Sequence, residues 1–450
     1  MTQPSPPDNS TLDRHTFYVG MANGIFVFLA NACLDPETVL PAFALQVMPG
    51  GSVLRVGIIC SAINLGWFWP QIFLSRQMET KPLLLPYYGL AQGLRAVCMT
   101  LICIALYLFA VENPGLTFAI VVLLLFASSS GGAYSMIPFM RIFRDGLPPR
   151  WLGAFLGWRY ALGGLTAFAV GFWIKSILSS ETGPTYPVNY ILVFGGGGIS
   201  AAVCGLLFMM IKERPHKIAK HTLPMRYHLA RGQRMLRADA GLRRLARARA
   251  LWSASAGMAF PFVVPFAIKI IDMPIAAVGL LLAVKMLSYS ITNPLWGHLS
   301  RILGNRWLMI FGILLQIAVP ALTILSPWLP RSVLFSWLGI SYDYRLLAIV
   351  LASVFIGTSQ ACLQVSINAF VMQILPARKA ATFLGFFFLV TSPTMAMPVV
   401  GALAVGAADR FALGMSLAIV LGMAMLRDVL RLKEVQAEVS ASGDAYRELS

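Results

Sequence analysis

The chain has 450 residues, of which 58% are hydrophobic and only 12% charged, and its mean hydropathy is +0.74. Soluble domains carry about 25% charged residues, so this composition excludes a soluble globular domain and points to an integral membrane protein. The net charge of +17 invites a nucleic-acid partner, but the placement of the basic residues along the chain explains it better, and no nucleic-acid partner is expected.

A membrane-crossing helix needs about 20 mostly apolar residues. Twelve such segments are predicted: 20–47, 54–75, 83–108, 116–140, 151–176, 189–211, 249–271, 275–297, 307–328, 346–374, 380–405 and 410–430. The connections are short and polar, with no series of alternating strands, so an all-α membrane protein is expected and not a barrel. Residues 1–16 read as a polar N-terminal tail without a cleavable signal.

The first span contains NACLDPETVLP at 31–41. An ionised Asp at the bilayer centre costs about 2.5–3.5 kcal/mol even on a lenient scale, so Asp35 must face the bundle interior, water or a partner. Pro36 and Pro41 each remove a backbone donor, and Pro36 disfavours α geometry at Asp35. The span is therefore expected to break, freeing carbonyls to line a cavity. Asp35 and Glu37 point to different faces of an intact helix, and a break can bring them together. Repulsion and poor hydration then favour a proton on one of them, and a carboxyl that takes and releases a proton while its exposure alternates is a proton carrier. Asn31 lies one turn before Asp35 and shares its face.

Three bases fall near mid-depth: Arg95 in the third span, Arg159 in the fifth and Lys285 in the eighth. Set against Asp35 and Glu37 they leave one surplus positive charge, which favours a solute carrying a carboxylate, phosphate or similar group. The competing expectation is that Asp35 pairs with Arg95 and the set only holds helices together. Gln360, Gln364 and Asn368 in the tenth span recur at steps of four and share one face, as cavity-lining groups do. Asn64, Gln71, Gln92 and Tyr134 are weaker candidates. Gly153 and Gly157 form a GxxxG, and GGGG at 195–198 lies in the sixth span; both predict close helix packing, not phosphate binding. The six cysteines (33, 60, 98, 103, 204 and 362) read as small buried hydrophobes. No nucleophile and base are placed together, and no Walker motif occurs, so neither an enzyme nor a cofactor or metal is expected.

Twelve of the 35 Lys and Arg lie from Lys212 to Arg249. Placing them inside satisfies the positive-inside bias and puts both termini in the cytoplasm. Residues 213–248 thus form a basic cytoplasmic linker, expected to lie as amphipathic helices on anionic lipid headgroups. It separates a first bundle over 17–212 from a second over 249–432, with a cytoplasmic tail at 433–450. The halves repeat: LPPRWLGAFLG at 147–157 matches LPARKAATFLG at 375–385, PQIFLSR at 70–76 matches PLWGHLSR at 294–301, and TVLPAFALQV at 38–47 matches FVVPFAIKII at 262–271. A shared offset near half the chain length means parallel duplication. The second half has no acid where Asp35 stands, around Ala259 to Phe262.

At this point the chain resembles the major facilitator superfamily. After the eighth span, GHLSRILGNR at 297–306 is similar to that family's loop motif Gly-x-x-x-Asp-Arg-x-Gly-Arg-Arg. Gly297, Gly304 and Arg306 match, whereas Arg301 stands where Asp is expected, so the family's gating salt bridge is not carried over. The resemblance implies two pseudo-symmetric six-helix bundles around a central cavity that opens alternately to each side. The function expected is secondary transport of a small anionic or polar solute, in a bacterial-type inner or plasma membrane, with protons as the coupling ion. Asp35 and Glu37 would carry the proton; Arg95, Lys285, Gln360, Gln364, Asn368, Asn31 and Arg159 would contact the solute. Efflux of amphipathic compounds, or a non-transporting assembly or sensor role, are the alternatives, and a monomer is expected.

Overall fold

The computed structural model describes residues 9–48, 50–79, 81–213, 240–337, 339–374, 391–406 and 408–432, together with 233–234 and 236–237. Among the described residues eleven helices are long and apolar enough to cross a membrane, and the shorter apolar segment Ser392–Val405 accompanies them. The protein is an all-α integral membrane protein, with one small hairpin among the described residues. In lipid the backbone must satisfy its own hydrogen bonds, which is why nearly every apolar run closes into helix.

The first contact unit comprises Met1–Gly51, Ala62–Thr222 and Ile275–Ala283. Its helices are α1 (Asn9–Cys33) and α2 (Val39–Gln46), α3 (Val53–Glu79), α4 (Leu85–Phe109), α5 (Pro114–Gly146), α6 (Pro149–Ile177) and α7 (Val188–Met209). The second unit comprises Ser52–Ser61, Leu223–Pro274 and Val284–Ser450. It holds α8 (Ala240–Ile270), α9 (Ala277–Leu303), α10 (Asn305–Leu325), β1 (Val333–Trp337), β2 (Ile340–Asp343), α11 (Tyr344–Ile374), α12 (Met397–Val405) and α13 (Phe411–Leu430). Helices α3 and α9 are each divided between the units. Glycine explains both divisions: a Cβ on Gly57 would meet the Pro398 carbonyl at 2.6 Å, and one on Gly279 would meet the Gly171 carbonyl at 2.3 Å.

Internal packing bears out the duplication. In the first unit α1 packs on α6 and α7, and α4 packs on α5 and α7. In the second, α8 packs on α12 and α13, and α10 packs on α11 and α13. Numbered as spans, 1–5, 1–6, 3–4 and 3–6 become 7–11, 7–12, 9–10 and 9–12. Much of the eleventh span, including the 375–385 partner of the LPPR repeat, lies outside the described residues. Gly304 turns the chain between α9 and α10 at φ +83°, a conformation that L side chains rarely adopt, so this matched glycine keeps its role in the loop motif.

Several expectations need correction. The first helix begins at Asn9, inside the expected polar tail, because a helix leaving the membrane need not be apolar. The seventh span begins at Ala240, inside the expected linker. There Leu242, Leu245, Ala246 and Ala248 are buried against Met309, Ile313, Ile367, Met425 and Val429. Burying each such leucine stabilises by about 1.5–3 kcal/mol. Its polar face is also occupied, with Arg247 bonded to Asp428 at 2.9 Å and Arg244 to the Arg431 carbonyl at 2.7 Å. The apolar face in 240–248 is therefore covered by protein, not by headgroups. Residues 214–232 lie outside the described residues. Among the described residues the GxxxG of α6 is not a packing seam either, since a Cβ on Gly153 or Gly157 would meet none of them within 4 Å. Gly163 does pack, against Phe28 of α1, and Gly197 packs against Met99 and Cys33.

Candidate functional site

The opening motif does break the first span. Ala32 gives its carbonyl to the Asp35 N–H, Asn31 gives its carbonyl to Leu34, and the helix resumes at Val39. Asp35 is 3% exposed. Its Oδ1 accepts from the Glu37 N–H at 3.1 Å, the Thr38 N–H at 2.9 Å and the Thr38 hydroxyl at 2.9 Å. This is an Asx turn: the side chain supplies the acceptor that the broken helix no longer offers. The Asp35 carbonyl is not freed to line a cavity, because Leu40 donates to it at 3.1 Å. Pro41 does not break the helix again; it lies in the first turn of α2, where a backbone N–H has no intrahelical partner to lose. The counterpart helix α8 runs unbroken through Pro261 and Pro265, with Ala259 buried where Asp35 would be.

Arg95 is 5% exposed. Its Nη2 donates to Asn31 Oδ1 at 2.8 Å and its Nη1 to Gln92 Oε1 at a long 3.4 Å. Gln92 in turn donates to Ser135 Oγ at 3.0 Å, and Ser135 donates to the Gly132 carbonyl at 2.8 Å. Gly131 makes room for this: a Cβ there would lie 3.0 Å from Arg95 Cγ. The hydrogen bonds of Arg95 thus go to neutral groups on α1 and α4, and its Nε has no partner among the described residues. The expected Asp35–Arg95 pair is not what holds this guanidinium. Asn31 is itself exposed, so the cluster has one accessible polar edge.

Arg159 occupies a separate cluster. It donates to the Gly20 carbonyl at 2.5 Å and to Asn23 Oδ1 at 2.9 Å, and its guanidinium lies 4.4 Å from the centre of the Phe139 ring. Asn23 also donates to Tyr88 Oη at 3.0 Å and to the Cys204 carbonyl at 2.9 Å. Tyr88 stacks on Phe208, with ring centres 3.6 Å apart. This network joins α1, α4, α6 and α7, and every side chain in it is buried. Sequence reading missed Asn23, Tyr88, Ser135 and Cys204; a buried Asn without a nearby charge gives no local signal.

In the second unit Lys285 is 3% exposed. Here α9 and α11 cross closely: a Cβ on Gly357 would come within 2.2 Å of the Lys285 carbonyl. Gln360 follows within one turn of that crossing and is half-buried, while Gln364 and Asn368 are exposed. Ser359, Cys362, Leu363, Ser366 and Ile367 are buried, so the polar stripe does lie on the less buried face of α11. Glu37 is half-buried. Of the weaker candidates, Asn64 and Tyr134 are half-buried, whereas the Gln71 side chain lies outside the described residues.

These features define a polytopic membrane protein made of two duplicated helical bundles, with buried cations at mid-span in each. The chain belongs to the major facilitator superfamily, whose family model matches residues 39–397. No curated protein matches it in sequence. Among solved structures, a point mutant of the nucleoside transporter NupG superposes with a TM-score of 0.69 at 12% identity, covering 94% of this chain and 100% of that one. A bacterial homologue of the iron transporter ferroportin, in its inward-facing state, gives 0.65 at 12% identity over 93% and 98%. A mutant of the peptide transporter POT bound to sulfate gives 0.64 at 12% identity over 95% and 99%. At such identities the likeness establishes the fold alone.

Proposed function

We propose that this protein is a secondary active transporter that moves a small anionic or polar solute by alternating access, coupled to protons, in the cytoplasmic (inner) membrane with both termini inside. The observation that carries the reading is Arg95. A buried guanidinium is costly unless compensated, and the hydrogen bonds of this one go to the neutral Asn31 and Gln92. The long Gln92 bond is easily exchanged for a solute oxygen, and exposed Asn31 offers an approach. Lys285 and the Gln360, Gln364 and Asn368 stripe supply the second half's contribution, and Asp35 with Glu37 carries the proton. Arg159 leaves the solute set in this reading, because its Nη1 is held by the Gly20 carbonyl and Asn23, bracing α1 against α6.

Arg95→Met tests the assignment. Removing a buried charge that lacks a counter-ion should leave the thermal midpoint unchanged or raised, while metabolite anions cease to shift it. Purified wild-type protein in liposomes should move one of those anions down an imposed pH gradient. If only lipophilic cations or neutral amphiphiles stabilise the protein, efflux of such compounds replaces the anion reading. Arg301 in place of the motif Asp favours a non-transporting assembly or sensor role as the rival, and a flux of zero across every panel would support it.

A further inference from the structure

The connection between α10 and α11 is a surface that the transport reading does not use. α10 ends at Leu325, a short helical turn runs through Trp328, and β1 and β2 then form an antiparallel hairpin before α11 starts at Tyr344. β2 faces inward, with Ile340 and Tyr342 buried. β1 is an edge strand with all five residues exposed, among them Val333 at 59%, Phe335 at 49% and Trp337 at 54%. No Asp, Glu, Lys or Arg occurs from Ser332 to Tyr342. Exposed edge strands are normally blunted by charge or proline, and this one carries neither.

We propose that the hairpin Val333–Asp343 lies in a headgroup layer, that of the outer leaflet on the orientation proposed above with both termini inside, with β1 turned to phospholipid. Three observations favour lipid over a protein strand. First, exposed apolar side chains also mark the adjoining apolar span: Phe311, Leu314, Leu325 and Trp328 of the α10 segment are exposed, and Tyr344 opens the next span. Second, the exposed aromatics are Trp and Tyr with Phe, the types whose amphipathic rings settle at a membrane–water interface. Third, the small size of the sheet sets the depth: among the described residues it has two strands, β1 and β2, and does not close on itself. Unpaired N–H and C=O groups are not tolerated in hydrocarbon but are satisfied by water and phosphate among headgroups. The base of the hairpin is polar, as that depth requires: Arg331 meets Asp272 at 3.6 Å, Arg345 donates to the Leu329 carbonyl, and Asp343 caps the Leu346 N–H.

The test is a nitroxide label on Ser336→Cys, in the full chain reconstituted in nanodiscs of phosphatidylcholine and phosphatidylglycerol. The six native cysteines are buried or half-buried, and the unmodified chain reports their background. Glu112→Cys, on an exposed loop, is the aqueous reference. Lipid contact predicts that oxygen relaxes the Ser336→Cys label several-fold more, relative to a nickel chelate, than it relaxes the reference. Phe335→Glu with Trp337→Glu should return that ratio to the reference value, at a cost in thermal midpoint because Phe335 stacks on Tyr342 with ring centres 4.7 Å apart. A ratio equal to the reference in the otherwise native chain would overturn the proposal in favour of a solvated loop. Dipolar broadening that disappears on dilution with unlabelled protein would overturn it in favour of strand pairing between two copies.

Discussion

Asp35 has two separable jobs, one structural and one proposed, and a pair of substitutions divides them. Structurally, a single carboxylate oxygen receives two backbone N–H groups and a hydroxyl at 2.9–3.1 Å in the break between α1 and α2. Asp35→Asn leaves an acceptor oxygen in place. Its bonds lose their charge assistance, falling from about 1.5–3 to about 0.5–1.5 kcal/mol each, while the desolvation cost of a buried charge disappears. These terms oppose one another, so the net change should stay within about 2 kcal/mol. Asp35→Ala removes the acceptor altogether and strands the Glu37 and Thr38 N–H groups, at about 1–3 kcal/mol for each buried donor. The alanine variant should therefore unfold about 2–6 kcal/mol more readily, read as a clearly lower midpoint in detergent. Proton coupling makes the opposite demand, because asparagine cannot titrate. In liposomes with an imposed pH gradient, Asp35→Asn should fold, bind solute and lose gradient-driven accumulation. Unchanged pH dependence in that variant would refute the proton role, and an alanine variant as stable as the asparagine one would refute the Asx turn.

The remaining predictions address the frame and the loops. Arg159→Met should destabilise the first unit by about 1–3 kcal/mol, since it removes the donor to the Gly20 carbonyl and leaves buried Asn23 Oδ1 with one donor fewer; detergent melting checks this. Gly279→Ala should cost about 1–3 kcal/mol and slow any flux, because the added methyl would sit 2.3 Å from both the Gly171 carbonyl and the Lys175 nitrogen. In the loop before α7, burial pushes the Tyr186 hydroxyl from 10.0 up to about 12. The folded state holds that proton where the unfolded chain has released it, so stability falls as pH rises from about 10 to 12. Tyr186→Phe should flatten the fall, and at neutral pH it should cost little because this hydroxyl has no hydrogen-bond partner among the described residues; denaturation across that window decides.

The span pattern, the half-chain repeat and the break at Asp35 were legible because each rests on a short local run. Hydropathy sums over about 20 residues, and a proline beside an acid acts within one turn. The polar stripe of α11 was legible for the same reason, since a step of four needs only helical geometry. Two readings failed where the same letters serve two environments. GxxxG in α6 looks like a packing seam, yet Gly153 and Gly157 meet none of the described residues. Leu242 and Leu245 look like a lipid-facing stripe, yet protein covers them. Lipid tails and protein interiors are equally apolar, so hydrophobicity alone does not tell a side chain which one it will meet.

By itself, then, the order of residues determined how often the chain crosses the membrane, which spans repeat and which of them carry ionisable groups at mid-depth. Only the tertiary structure decided which groups meet. Asn23 reaches Cys204 across 181 residues, and Arg95 finds Asn31 across 64. Those pairings follow from how helices pack, and packing depends on shape complementarity between surfaces distant in sequence, for which no local pattern of residues carries a record.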